Sequence, residues 1–261
     1  MGFVALVMLA PALWMVSTSL KPESDITQAV PRWIPQHPTL EHYVKLFSDR
    51  SFPVARWFFN SFFVATMATI GILVIASMAA FAFARLRFWG REPLFYLLLA
   101  TLLIPGQVSL IPVFLIVQKL GLFNTYLGLF LPGLGNAFGV FLLRSFFARV
   151  PRELEEAAIL DGASVPTIYL RVGLPLVKPA LATLGIFTFI GSWNDYVWPL
   201  LVTSEVEMRT VPVGLTIFQG QYSTQFGPTM AAATIATIPV VIAFLIFQRR
   251  ITEGIALTGI K

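Results

Sequence analysis

Six long apolar runs decide what this 261-residue chain can fold into. They lie at about 3–20, 57–84, 94–117, 127–147, 179–202 and 229–248, and several reach the roughly 20 residues an α-helix needs to cross a bilayer core. The runs are continuous rather than alternating, which argues for helices and against a transmembrane β-barrel. Only 12% of the residues are charged and 57% are hydrophobic, whereas soluble domains carry about 25% charge. The expected fold class is all-α: a polytopic membrane protein with six transmembrane helices forming one transmembrane domain over 1–261. The chain has no cysteine, which excludes disulfides, thiol nucleophiles and cysteine-held metals. Its net charge of +5 needs no nucleic acid partner, because Lys and Arg flanking membrane spans give the same sign.

The first run starts directly after Met1, with no basic flank and no small-residue cleavage site before Lys21. It reads as a first transmembrane helix rather than a signal peptide, and as one that has lost a short cytoplasmic leader. With the N-terminus inside, eleven Lys and Arg residues fall on the cytoplasmic face and seven outside. The short loops vote more clearly. Arg85, Arg87 and Arg91 crowd one connection, whereas 118–126 and 203–228 hold one basic residue each. Both termini are expected in the cytoplasm, and so is the loop 148–178.

The first outer loop, about 21–56, is kept extended early on by Pro22, Pro31, Pro35 and Pro38. Thr39 then caps a short amphipathic helix. Its apolar face is expected to carry Leu40, Tyr43, Val44 and Phe47, resting on the membrane or on the protein itself, or offered to an external partner.

Charge is concentrated in one island. Residues 151–164 hold Glu153, Glu155, Glu156 and Asp161, four of the thirteen carboxylates in the chain. Pro151 suits a helix start, and the early glutamates suit the positive end of the helix dipole. Gly162 can end the helix in a left-handed conformation, after which Ser164 can cap a second helix that tolerates Pro166 in its opening turn. The small pair Ala157 and Ala158 leaves room for a close approach. The expected object is a short rigid knob in water between two spans.

Glu156-Ala157-Ala158, three residues, Gly162, nine residues, Val172, one residue and Leu174-Pro175 resemble the EAA loop of ATP-binding-cassette (ABC) importer permeases, with Val172 in place of the family's Ile. The resemblance runs on through Ser17-Thr-Ser-Leu-Lys-Pro22, Asn60-Ser61, Trp193-Asn-Asp-Tyr-Val-Trp-Pro199, Gln248-Arg-Arg250 and the C-terminal 254–261. Together these are most similar to the carbohydrate permeases of maltose-type importers, the six-span MalG-like subunit. Phosphate, polyamine and amino-acid permeases share the loop but fit the rest less well.

That resemblance implies a subunit of a bacterial or archaeal cell (inner) membrane machine, embedded in lipid and paired with a second permease. Two ATP-binding-cassette ATPase subunits and an extracytoplasmic solute-binding protein complete it. The knob would sit in an ATPase cleft, with Glu156 pairing a basic residue there, Ala157 and Ala158 packing into the cleft, Asp161 beside them and Gly162 setting the angle. The chain would not be an enzyme and would bind no cofactor, since ATP and Mg belong to the partner ATPase. A small-molecule sugar would pass near Trp193, Asn194, Asp195 and Tyr196, where aromatic faces and hydroxyl-bonding groups suit a pyranose; subunit contacts or membrane anchoring would suit the same residues. Asp195 is the only acid inside an expected span, and such charges usually face a polar interior. The outer loop 219–228, with Gln221, Tyr222, Gln225 and Phe226, resembles the scoop that displaces sugar from the binding protein, although a plain connector would read the same way.

Other chemistry fits poorly. Gly254-x4-Gly259-x-Lys261 sets its Lys one position late for a phosphate loop, and no strand precedes it. His37 and His42 have few neighbouring ligands for a metal. Import of glycerol-3-phosphate or another polar solute by the same machine stays open. A stand-alone secondary transporter would show internal repeats with broken helices and a buried ion site, whereas the sequence shows no repeat.

Overall fold

A computed structural model describes residues 2–28, 32–49, 51–221 and 225–259, with side chains over 7–28, 32–49, 51–216 and 225–245. Among the described residues every regular element is helical. In chain order these are α1 (Gly2–Ser19), a single turn at Glu23–Ile26, α2 (Glu41–Ser48) and α3 (Val54–Arg85). Then come α4 (Arg91–Leu103, its last turn 3-10), α5 (Gly106–Lys119), α6 (Tyr126–Leu134), α7 (Ala137–Phe147), α8 (Arg152–Leu160) and α9 (Val165–Leu176). Last are α10 (Lys178–Trp193), α11 (Val197–Val202), a 3-10 turn at Val206–Met208, α12 (Val211–Gln221) and α13 (Phe226–Gly259).

Among the described residues two helices are long and apolar enough to cross a membrane unbroken: α3, and α13 over Phe226–Leu245. Three pairs qualify only if each bent pair counts as one span: α4 with α5 at 101°, α6 with α7 at 48° and α9 with α10 at 78°. The run 94–117, expected as one helix, is therefore broken. The cause is Pro105, which disfavours helical geometry at the residue before it; Ile104 is extended at φ −84° and ψ 117°. The run 127–147 breaks at Gly135 and Asn136, where the Asn136 side chain accepts the Gly139 N–H at 2.6 Å and starts α7 afresh. The run 179–202 breaks between α10 and α11, at Asn194, Asp195 and Tyr196.

The chain divides into two units, Met1–Phe63 with Trp193–Phe244, and Val64–Ser192 with Leu245–Lys261. In the first, the end of α1 and the loop after it are buried: Thr18, Ser19 and Lys21 lie inside. Ser19 Oγ meets Tyr43 Oη at 2.7 Å, and His42 Nε2 meets the Lys21 carbonyl at 2.7 Å. Burial pushes the Lys21 ammonium down from its ordinary pKa, partly offset by Asp25. Helix α2 divides into two sides. His42 and Leu46 are its buried residues, while Leu40, Val44 and Phe47 are exposed. Tertiary contact sets this face: the His42 ring lies where a side chain on Gly227 would be, within 2.1 Å of an added Cβ.

The same unit clamps the 204–211 connection. Trp57 is fully buried and donates from Nε1 to the Val206 carbonyl at 2.7 Å. Asn60 Nδ2 donates to the Glu207 and Arg209 carbonyls at 2.6 and 2.8 Å, and Ser61 Oγ accepts the Val211 N–H at 2.8 Å. Asn60-Ser61 thus satisfies backbone groups that would otherwise be buried unpaired. The second unit has an apolar core built from the C-terminal half of α3 (Ala76, Ala80, Phe81), α7 (Leu143, Phe147) and α10 (Ala180, Leu184). Gly139 lets α7 approach closely, since a Cβ there would lie 3.0 Å from Leu184 and 3.2 Å from Ala76.

Candidate functional site

The charged island folds as α8, a turn and α9. Helix α8 starts after Pro151, with Glu153 and Glu155 in its first turn. It ends at Gly162, whose φ is +80°. The Gly162 N–H reaches the Ile159 carbonyl at 2.9 Å, and the Ala163 N–H reaches the Ala158 carbonyl at 2.9 Å. This pair of bonds is a Schellman closure. A Cβ on Gly162 would touch nothing within 4 Å, so the glycine answers to backbone conformation, not to crowding. Ser164 begins α9 without a side-chain cap on a backbone N–H; its hydroxyl meets the Thr167 hydroxyl at 2.9 Å instead.

Glu156, Ala157 and Asp161 are exposed, and Ala158 is half-buried against the second unit's core. Leu154, Ile159 and Leu160 are exposed as well, Leu160 to 89%. Apolar side chains set among acids on a short helix make a surface suited to a partner. The acids and the alanines stand out in the sequence and these three do not, although large apolar residues beside Arg152, Glu153, Glu155 and Glu156 in a nine-residue helix are an available signal.

The knob is fastened to α3. The Arg85 guanidinium pairs with Glu155 at 2.9 Å, the side chains being 5% and 16% exposed, and it also donates to the Val150 carbonyl. From α9, Tyr169 Oη meets Ser77 Oγ at 2.7 Å, and its ring lies 5.3 Å from that of Phe81. Gly173 sits where a Cβ would be 3.2 Å from the Phe147 ring. Displacement of the knob therefore loads α3 and α7 directly, through contacts of the dense kind that transmit strain.

The second candidate group is split between packing and exposure. Trp193 is buried, donates from Nε1 to the Ala236 carbonyl at 3.2 Å and lies 6.0 Å from the Phe58 ring. Asn194 and Tyr196 are exposed. Asp195 Oδ1 accepts the Trp198 N–H at 3.4 Å, which places the carboxylate over the first turn of α11.

Of the outer-loop group, Tyr222 lies outside the described residues, as does the side chain of Gln221. Gln225 Oε1 accepts from Lys45 Nζ at 2.8 Å. Phe226 is exposed and opens α13, where both Glu23 carboxylate oxygens cap the helix by accepting the Phe226 and Gly227 N–H groups at 2.9 and 3.1 Å. Neither the Glu23 cap nor the pairing of Arg85 with Glu155 is visible in the sequence, because both act across long separations.

The family described as "Binding-protein-dependent transport system inner membrane component" matches residues 71–256. The sulfoquinovosyl glycerol transport system permease protein SmoH of Agrobacterium fabrum is 36% identical over 97% of this chain and 89% of its own length. The trehalose/maltose transport system permease protein MalG of Thermococcus litoralis is 35% identical over 99% of this chain and 93% of its own. A chain in the crystal structure of a bacterial ABC transporter that imports the acidic polysaccharide alginate superposes with a TM-score of 0.82 at 26% identity, covering 95% of this chain and 92% of that one. The chain belongs to the family of inner-membrane components of binding-protein-dependent transport systems.

Proposed function

We propose that this chain is a permease subunit of an ATP-driven, binding-protein-dependent sugar importer. It pairs with a second permease and, through α8 and α9, with ATPase subunits. The single observation that carries the reading is the knob: Glu156, Ala157 and Leu160 exposed on a helix closed by Gly162 and fastened to α3 through Arg85 and Glu155. An ATPase clasping that surface can bias the spans between two states by binding one better than the other. The loop 148–178 and both termini lie in the cytoplasm in this reading, in agreement with the basic residues around α8. Relatives named for sulfoquinovosyl glycerol and for trehalose and maltose support a carbohydrate cargo. The exposed Asn194 and Tyr196 are the residues of the second group that are accessible to it.

Affinity purification of the tagged chain from its native membrane tests the assembly. A complex holding a second permease and ATPase subunits is expected, and Glu156→Lys should reduce ATPase recovery. Transport by this chain alone in liposomes would overturn the reading. The cargo follows from finding which sugars raise the melting temperature of the cognate binding protein, since a ligand of the native state stabilises it by mass action.

A further inference from the structure

Two cavities of the second unit share helix α4. The first, about 540 Å³, lies at its N-terminal end and is lined by Arg87, Gly90, Arg91, Glu92 and Arg152, among others. Glu92 neutralises Arg91 at 2.8 Å. Among the described residues Arg87 and Arg152 have no ion pair and no hydrogen-bond partner, so the cavity holds uncompensated positive charge. The second cavity, about 400 Å³, is an apolar groove where α4 faces α3 and α7, with Leu94, Leu97, Leu98 and Thr101 along α4 and Ala79 on α3. Its polar rim spends its bonds locally: Thr101 Oγ1 donates to the Leu98 carbonyl at 2.6 Å, and Asn136 Oδ1 accepts the Gly139 N–H at 2.6 Å. Gly90 of the basic cavity and Leu94 of the groove are neighbours on α4, Leu94 lying 3.7 Å from where a Cβ on Gly90 would be.

We propose that this pair of cavities binds one phospholipid with an anionic headgroup. Its phosphate is held by Arg87 and Arg152, and one acyl chain lies along α4 in the groove. From Arg91 to Thr101 the helix rises about 15 Å, half of the roughly 30 Å hydrocarbon core, which is the depth one leaflet's chain must cover. Trp89, 98% exposed beside the basic cavity, has the amphipathic ring that favours the headgroup level. A soluble acidic protein could satisfy the arginines but would leave the groove empty. Arg152 is the first residue of α8, so the lipid would tie the knob to the bilayer surface.

The test uses the full-length chain reconstituted in vesicles of equal phosphatidylglycerol and phosphatidylcholine, then extracted for native mass spectrometry. The wild type should retain phosphatidylglycerol in preference. Arg87→Gln with Arg152→Gln should cut that retention about thirty-fold, as expected for two near-surface cationic contacts, with phosphatidylcholine retention unchanged. Ala79→Leu, which fills the groove, should lower phosphatidylglycerol retention without lowering the melting temperature. Equal retention by the double variant would overturn the proposal, and so would unchanged retention by Ala79→Leu. Titration with inorganic phosphate separates the sources: weak binding supports a lipid, whereas binding as tight as that of the lipid would assign the site to a free anion. An ATPase subunit that displaces the lipid in the assembled complex would also overturn it.

Discussion

Arg85, at the end of α3, and Glu155, in the first turn of α8, form an ion pair of 2.9 Å that is largely withdrawn from water. They are far apart in sequence, and with the Tyr169–Ser77 contact the pair fastens the knob to α3. Removing one partner of a buried pair strands the other, at a cost of about 3 kcal/mol. Arg85→Gln should therefore raise amide exchange in α8 while leaving the α3–α7 core protected. A double-mutant cycle with Glu155→Gln should give a coupling energy of about 1–3 kcal/mol. Unchanged exchange in α8 would show that the pair does not hold the knob.

Gly162 is left-handed with open space around it, so a side chain there meets only the backbone penalty. For an L-residue that penalty is about 1–2 kcal/mol, with Asn the mildest replacement. ATPase coupling in the assembled complex should fall in the order Gly162, Gly162→Asn, Gly162→Ala, Gly162→Val, with the spans still folded by circular dichroism. If Gly162→Val transports normally at a normal complex yield, the rigid-knob account is wrong.

The knob was legible in the sequence because its geometry is local. Pro151, Gly162 and Pro166 act on their own backbone, and the bonds that close the turn span five residues at most. The long apolar runs hid their breaks for the opposite reason: hydropathy averages over a window, whereas Pro105 and Asn136 act at one peptide each. The burial of His42 on α2 was illegible because the Lys21 carbonyl and the bare backbone of Gly227 that seat it lie far away in sequence. Arg85 with Glu155, and Glu23 with α13, carried only complementary charge as a signal, and the chain offers many such combinations.

Gly214 faces the Trp57 ring so closely that an added Cβ would lie 2.2 Å from Cε3. The ring cannot retreat, being fully buried with its Nε1 held by the Val206 carbonyl. Overpacking of this kind costs roughly 1–3 kcal/mol. Gly214→Ala should lower the melting temperature of the purified protein and loosen the 204–211 connection in hydrogen exchange. An unchanged melting temperature would mean that α12 can shift, against the observed clamp.

Asp195 separates two roles by chemistry. Its carboxylate accepts the Trp198 N–H at the start of α11, a task that Asn performs about as well as Asp and Ala does not. A capping role tolerates the neutral amide: Asp195→Asn keeps the transport rate and the substrate preference, whereas Asp195→Ala loses about 1 kcal/mol of stability. Tyr196, exposed beside it, has no such cap to supply, so Tyr196→Ala should lower transport at unchanged melting temperature if the cargo passes there. A change of substrate preference in Asp195→Asn at unchanged stability would move the carboxylate itself into the pathway, and the capping role would then be secondary.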